Sequence, residues 1–355
     1  AGPGGLSAAL ELARAGVDVE IFEEQAYAGG MVGGVVPEYR LPRAVFAQDL
    51  AALEKLGVRI HYNTRAGRDI RLSQLRENGF DSIAIMAGAQ LGKALALHGE
   101  RCGGLLDALQ FLRQSKEQRT LDVGRRVGVI GAGDTAMDCA RVAWRLGDRE
   151  VTLIYRRTID QMPADREEIT QLLDEGIEVL ELAQPDSLVV TDGRLEAVRC
   201  KRMRLSDDRD TSGRRIPVAV PDSAFTVPVD TIIFATGQQA MLDFLEGESI
   251  ALNDSGYIDV DPVTFESSVP GIYAGGDVAN AGPETIVKAA AAGKAIAASI
   301  LGQAATSSGS VTELASSVTD PELPALLRRR SQRQRRIRAP QTEVAERQNF
   351  DEVML

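Results

Sequence analysis

The sequence predicts an α/β fold in which one strand–helix unit is inserted within another of the same kind. Three observations predict it. Gly2-Pro3-Gly4-Gly5-Leu6 opens the chain, and Glu23 follows eighteen residues past Gly5. Gly131-Ala132-Gly133-Asp134-Thr135-Ala136 opens a second unit, and Arg156 and then Arg157 follow, Arg156 lying twenty residues past Ala136. Each unit also closes on an apolar run ending in glycine, Ile83-Ala84-Ile85-Met86-Ala87-Gly88 and Ile232-Ile233-Phe234-Ala235-Thr236-Gly237. A third such run, Gly271-Ile272-Tyr273-Ala274-Gly275-Gly276-Asp277, returns to the first unit. Glycine at a strand-to-helix turn lets backbone N–H groups approach a pyrophosphate, and the following helix turns its positive end toward it. The pattern therefore predicts two Rossmann-like dinucleotide-binding domains, with 121–237 inserted between 1–120 and 238–303, and a linker and arginine-rich tail over 304–355.

Periodicity supplies the elements in order. Residues 6–15 read as a helix that Gly16 closes. Residues 17–22 alternate as a strand, 45–56 are amphipathic and helical, and 58–62 and 82–87 are further strands. In the second unit, strand 125–130, helix 135–145, strand 151–155, helix 166–174 and strand 179–182 follow one another. Residues 188–229 are hairpin material, with Asp192-Gly193 as a tight turn and 206–215 as a polar loop. Residues 231–235 form a buried strand and 284–301 one helix. The first glycine of the opening fingerprint and the strand feeding it would fall before Ala1, so the sequence is expected to be a fragment of a longer polypeptide.

Composition narrows the function classes. The 355 residues can bury more than one core, and a net charge of −11 argues against a general nucleic-acid binder. No apolar stretch approaches the roughly 20 residues of a membrane span, and a cytoplasmic protein is expected. Cys102, Cys139 and Cys200 are widely spaced and form neither a C-x-x-C pair nor a disulfide framework. His61 and His98 lie far apart without metal-ligand spacing, so no metal site is expected. The arginines of 326–338 lack interleaved aromatics and read as a solvated or packed arm.

The charge at each strand end points to a cofactor. An acid such as Glu23 accepts hydrogen bonds from ribose hydroxyls, whereas guanidinium groups such as Arg156 and Arg157 bind a ribose 2′-phosphate. FAD is expected in the first unit and NADPH in the second. Asp277, in an otherwise apolar run, is expected to accept from a flavin ribitol hydroxyl. The helix starting near Thr285 would aim its N-terminus at the pyrimidine end of the flavin.

Several segments together resemble the glutamate synthase small (β) subunit family, which includes the flavin/NADPH region of dihydropyrimidine dehydrogenase and of putative selenate reductase subunits. They are Gly29-Gly30-Met31, Pro37-Glu38-Tyr39-Arg40-Leu41-Pro42, 131–138, Tyr155-Arg156-Arg157-Thr158 with Met162-Pro163-Ala164, and Gly275-Gly276-Asp277. The resemblance covers about residues 1–305. It implies that Gly2, Gly5, Glu23, Gly30, Met31, Arg40 and Asp277 contact FAD, and that Gly131, Gly133, Asp134, Thr135, Arg156 and Arg157 contact NADPH. Pro3, Glu24, Gly88, Gly237, Gly276 and Thr285, at the turns and element ends of the same units, complete the expected cofactor-binding set. It further implies electron exit to [4Fe–4S] clusters outside this chain, on an iron–sulfur module or a larger catalytic subunit. The stretch Asn349-Phe350-Asp351-Glu352-Val353 is similar to one that precedes a cysteine-rich module in relatives. The chain departs from the family at Met86-Ala87-Gly88, where relatives carry Ala-Thr-Gly.

The expected activity is hydride transfer from NADPH to FAD, which rests on positioning and needs no acid, base or nucleophile from the protein. A flavin monooxygenase and a non-catalytic nucleotide-binding scaffold are the alternatives. A disulfide reductase would need the absent C-x-x-C pair.

Overall fold

The computed structural model describes residues 1–93, 95–99, 102–117, 121–279, 285–302, 341–347 and 350. The expected linker, the arginine-rich arm and Glu284 lie outside these residues, as does the stretch at 349–353 except Phe350.

The first unit begins with α1 (Pro3–Arg14), whose proline occupies a position where the missing N–H costs no hydrogen bond. Leu6, Ala8, Ala9 and Leu12 form its buried face. After it come β1 (Glu20–Phe22), α2 (Gly30–Gly34), α3 (Arg43–Lys55), β2 (Arg59–His61), α4 (Leu72–Glu77) and β3 (Ile83–Ile85). β1 pairs in parallel with β2, Ile21 opposite Ile60. β3 pairs instead with a strand from the far end of the chain. β1 and β3 do not pair with each other.

The chain then crosses through β4 (Leu91–Gly92) into β5 (Leu105–Asp107) and α5 (Ala108–Lys116). β6 (Arg126–Ile130), α6 (Asp134–Arg145), β7 (Glu150–Ile154), α7 (Arg166–Asp174) and β8 (Glu178–Leu180) follow. Next come β9 (Ala183–Thr191), β10 (Arg194–Arg209), β11 (Arg215–Pro228) and β12 (Thr231–Phe234). The second sheet runs β5-β12-β6-β7-β8 and is parallel throughout. Helices cover both faces of such a sheet, so its strands are apolar on both sides; Val127, Val129, Leu153, Ile232 and Ile233 are at most 1% exposed. β5 and α5 precede residue 121, yet β5 hydrogen-bonds to β12 and α5 packs on α6.

β9, β10 and β11 form an antiparallel sheet of their own. Asp192 and Gly193 both take positive φ, 50° and 72°, as a two-residue hairpin turn requires. The loop expected over 206–215 is shorter than the sequence indicates. β10 continues to Arg209 and β11 starts at Arg215, because the Asp210 carboxylate accepts hydrogen bonds from the Ser212 and Arg214 backbone N–H groups and closes the turn.

The chain returns through β13 (Gln238–Gln239), antiparallel to β4, so the two crossings between the units are zipped together. β14 (Ile272–Ala274) pairs with β3, Tyr273 opposite Ala84, and α8 (Ile286–Ile300) packs on α1. At their closest approach a Cβ on Gly293 would fall 2.0 Å from the Gly4 carbonyl oxygen, so this contact admits only glycine. No helix among the described residues is long and apolar enough to cross a membrane.

Candidate nucleotide-binding sites

In the first unit two helix starts meet. The Gly29 N–H donates to the Ala1 carbonyl at 2.7 Å, bringing the beginning of α2 against that of α1. A Cβ on Gly30, itself at φ 53°, would lie 3.0 Å from the Gly2 Cα, so bare backbone faces bare backbone. The first N–H groups of α1 have no side-chain cap. A cavity opens beside them. Gly2, Gly5, Glu23, Gly30, Gly88 and Arg113 are among its lining, and between β1 and β3 apolar residues such as Ile21, Ile83 and Ile85 mix with charged ones such as Arg59, Arg65 and Asp81. Glu23 Oε1 accepts from the Gln25 N–H at 2.8 Å, which holds the carboxylate near the turn. Glu24 also lines the cavity, ion-paired with Arg65 at 3.0 Å.

Five further residues are expected at the flavin. Pro3 is the first residue of α1. Met31 packs on the core of the second unit. Gly276 and the half-buried Asp277 form a 3-10 turn after β14. Thr285 caps α8, its hydroxyl accepting from the Lys288 N–H at 3.3 Å. None of these five lines the cavity.

In the second unit Gly131 takes φ 147°, and a Cβ there would fall 2.2 Å from the Ala235 carbonyl oxygen, so the end of β12 presses directly on the turn. A Cβ on Gly133 would meet nothing within 4 Å. This glycine therefore leaves open space at the uncapped start of α6, where a phosphate can approach backbone N–H groups. Asp134 Oδ1 accepts from the Asp165 N–H at 2.9 Å, tying the 162–165 loop to the turn. The Thr135 hydroxyl accepts from Gln238 Nε2 at 3.3 Å, linking the turn to the crossing strands. There Gly237, at φ 121°, accepts from the Lys93 N–H at 2.9 Å.

The two arginines after β7 separate. Arg156 is exposed, with no hydrogen bond or ion pair among the described residues. Arg157 is 4% exposed, and its guanidinium donates to the Arg215 carbonyl and to Asp210. The Arg157 guanidinium is thus bound by the hairpin, whereas its neighbour Arg156 faces solvent.

Arg40 is engaged likewise. Its guanidinium bonds Asp138 of α6 at 2.9 and 3.0 Å and pairs with Glu168 of α7 at 3.3 Å, outside the flavin cavity. Beside it Tyr39, 1% exposed, lies under the guanidinium groups of Arg145 at 4.1 Å and Arg141 at 4.8 Å. Both arginines bind Glu175, which stays below the ordinary carboxylate range because their hydrogen bonds overcome the cost of its burial. Burial pushes the Asp138 carboxyl up to about 6 although Arg40 opposes the shift. The Lys116 ammonium donates to the Val32 and Val36 carbonyls at the end of α2, and burial lowers its pKa. The loop after the first cradle is thus latched onto the helices of the second. The spacing of Arg141 and Arg145, one turn apart, and of Glu168 and Glu175, two turns apart, is the sequence signal for this interface.

Neither histidine enters a cradle: His61 bonds Glu20 at 2.6 Å, and His98 bridges to Ser187. The three cysteines are unpaired, and no group of metal-ligating side chains occurs among the described residues.

Residues 1–293 match the pyridine nucleotide-disulphide oxidoreductase family. The NADP(+)-dependent formate dehydrogenase subunit beta of Moorella thermoacetica is 43% identical over 303 residues, covering 84% of this chain and 42% of that protein. The glutamate synthase (NADPH) small chain of Escherichia coli strain K12 is 32% identical over 317 residues, covering 85% of this chain and 66% of that protein. The chain therefore spans less than half of the first relative and about two thirds of the second. Among solved structures, Mycobacterium tuberculosis FprA in complex with NADPH superposes with a TM-score of 0.71 at 18% identity, covering 93% of this chain and 87% of that one, which shows the shared fold. The chain belongs to the pyridine nucleotide-disulphide oxidoreductase family, as an NAD(P)H-dependent FAD oxidoreductase module of the glutamate synthase small-subunit type.

Proposed function

We propose that this chain is the electron-input module of a larger assembly. It oxidises NADPH at the second cradle with FAD held in the first, and hands electrons to iron–sulfur clusters on an adjoining segment or a larger catalytic subunit. FAD, when bound, supplies the conversion of a two-electron donor into one-electron flow. The protein supplies binding and orientation. Gly2, Gly5 and Gly30 leave room for the FAD pyrophosphate, and Glu23 is placed for its ribose. Gly133 and the start of α6 bind the second pyrophosphate, Gly131 lets the end of β12 pack on the turn, and Arg156 meets the 2′-phosphate. The zipped β4–β13 crossing and the Tyr39–Arg40 latch hold one cradle against the other. We assign 1–92 and 238–302 to the FAD domain and 105–237 to the NADPH domain, since β5 and α5 belong to the second sheet.

The observation that carries this reading is the pairing, in one chain, of two glycine turns with opposite charges at their strand ends: the Glu23 carboxylate and an unengaged Arg156 guanidinium. The names of the relatives, NADP(+)-dependent and NADPH-dependent, support the same cofactor. Disulfide chemistry is not supported. Cys139 and Cys200 are buried, with thiols pushed up by burial, and Cys102 is far from both in sequence. The unpaired cysteines fit a reducing, cytoplasmic setting.

Anaerobic mixing of the FAD-loaded polypeptide with NADPH tests the proposal. The flavin absorbance should bleach, and Arg156→Gln should raise KM for NADPH by about a hundredfold while leaving NADH nearly unaffected. Absence of bleaching in the intact polypeptide would favour the scaffold reading. Rapid oxygen consumption with a hydroxylated product would favour a monooxygenase.

A further inference from the structure

We infer that Asp210, at the tip of the β10–β11 hairpin, is a positioning residue for cofactor selection: it anchors Arg157 so that Arg156 is the guanidinium presented to a 2′-phosphate. The inference rests on the reading of Arg156 given above and extends it to a residue fifty-four positions away in sequence.

Backbone direction sets up the division of labour. Tyr155 is 7% exposed and Arg157 4%, while Arg156 between them points to solvent. Were the inward side chain free to withdraw, the segment could rotate and Arg156 would lose its direction. The inward side chain is bound at two points. Arg157 Nη2 donates to Asp210 Oδ2 at 2.7 Å and Nε donates to the Arg215 carbonyl at 2.8 Å. Both acceptors belong to the turn at the hairpin tip. The Arg215 N–H in turn donates to Gln161 Oε1 at 3.1 Å, and the Tyr155 hydroxyl donates to the Gln161 carbonyl at 3.0 Å. The arginine segment and the loop after it are therefore fastened to the same tip.

Asp210 is itself held rigidly. Its Oδ1 accepts from the Ser212 N–H at 2.9 Å, the Ser212 hydroxyl at 2.5 Å and the Arg214 N–H at 3.1 Å. Oδ2 is thereby left directed at Arg157, and the Arg214 guanidinium is 3.9 Å from it. The carboxyl stays below its usual range, chiefly through the Ser212 hydroxyl, so it is charged at neutral pH. Asp210 is partly exposed at the edge of the molecule and belongs to neither core, so its contribution to global stability is small. What it governs is the direction of one guanidinium, and placing that group matters more for a fork-shaped contact with phosphate than for a point charge.

The test is calorimetric titration of the full polypeptide with adenosine 2′,5′-bisphosphate and with 5′-AMP, which differ by the 2′-phosphate. Wild type should bind the bisphosphate more tightly. Asp210→Asn should lose about tenfold in bisphosphate affinity and keep its 5′-AMP affinity within about twofold. Asp210→Glu, which restores the carboxylate, should recover part of the loss. Equal losses for both probes would show a general scaffolding role and overturn the inference. So would bisphosphate binding that is unchanged or tighter in Asp210→Asn, because a released Arg157 would then be a phosphate ligand in its own right. Wild type that fails to distinguish the probes, with Arg156→Gln equally indifferent, would remove the reading of Arg156 itself and this inference with it. Discrimination lost in Arg156→Gln but retained in Asp210→Asn would remove only the inference.

Discussion

The two cradles share a glycine-rich turn but differ in what surrounds it. The second turn emerges from a continuous five-stranded parallel sheet, and its tight contact is with the neighbouring strand end, Gly131 against Ala235. The first turn has its tight contact with a helix from the far end of the chain, Gly4 against Gly293. A glycine in this fingerprint therefore performs one of two tasks. It allows two backbones to pack, or it leaves empty space for a ligand. Added-Cβ geometry separates the tasks where sequence does not: Gly131, Gly4 and Gly293 belong to the first kind, Gly133 to the second.

The largest effect should come from violating a packing glycine in the first unit. In Gly293→Ala the new methyl carbon would lie 2.0 Å from the Gly4 carbonyl oxygen and 3.1 Å from the Ala8 nitrogen, so α8 must move away from α1. Overpacking of this kind costs about 3 kcal/mol. Because α1 begins at the cradle, the variant should also be purified with less FAD. Flavin content and thermal melting measure both effects. Normal FAD content and melting would show that the α1–α8 contact relaxes freely.

Gly133→Ala gives the opposite result if the comparison holds. Gly133 has φ −88°, which alanine adopts without strain, and its Cβ would meet no atom within 4 Å. Stability should change by less than about 1 kcal/mol. The methyl group would instead occupy the approach of the pyrophosphate, and NADP⁺ affinity should fall on the order of tenfold to a hundredfold, read by calorimetry. A destabilised protein with intact affinity would reverse the assignment of tasks.

These contrasts show how far sequence reading reached. The glycine turns, the parallel strands and the order of units are written in local pattern, and local caps locate boundaries well. The helix expected at 166–174 is α7 to the residue, because Asp165 accepts from the Glu167 N–H at its start and Gly176, at φ 78°, lies just past its end. α5 carries a comparable signal, an Asp107 cap and Leu109, Phe111 and Leu112 on its buried face, but which sheet it joins is decided by the non-local pairing of β5 with β12. The two engaged arginines have the same cause. Arg40 and Arg157 sit in motifs that imply cofactor contact. Each is claimed by a carboxylate distant in sequence, Asp138 and Asp210, and no pattern within the motif encodes that partner.

The smallest predicted effect concerns the latch that sets one cradle against the other. Burial holds the Asp138 carboxyl at about 6, above its ordinary 3.8, so between these values the folded protein binds a proton that the unfolded chain does not. The stability gained in this way is fully present below about 3.8 and is lost as pH rises through about 6. Asn at this position carries no titrating proton, so Asp138→Asn should remove that component of the pH dependence while Glu168 continues to pair with Arg40. Urea unfolding of wild type and variant across the window should show wild type losing stability relative to the variant as pH rises through about 6. Carboxylates elsewhere whose pKa is lowered, such as Glu175, slope the opposite way in both proteins and cancel in the difference. Parallel curves would mean that the Arg40 guanidinium keeps Asp138 ionised throughout, making the latch a permanent ion pair. A wild type that loses stability relative to the variant as pH rises would mean that Asp138 holds its proton in the folded protein below about 6.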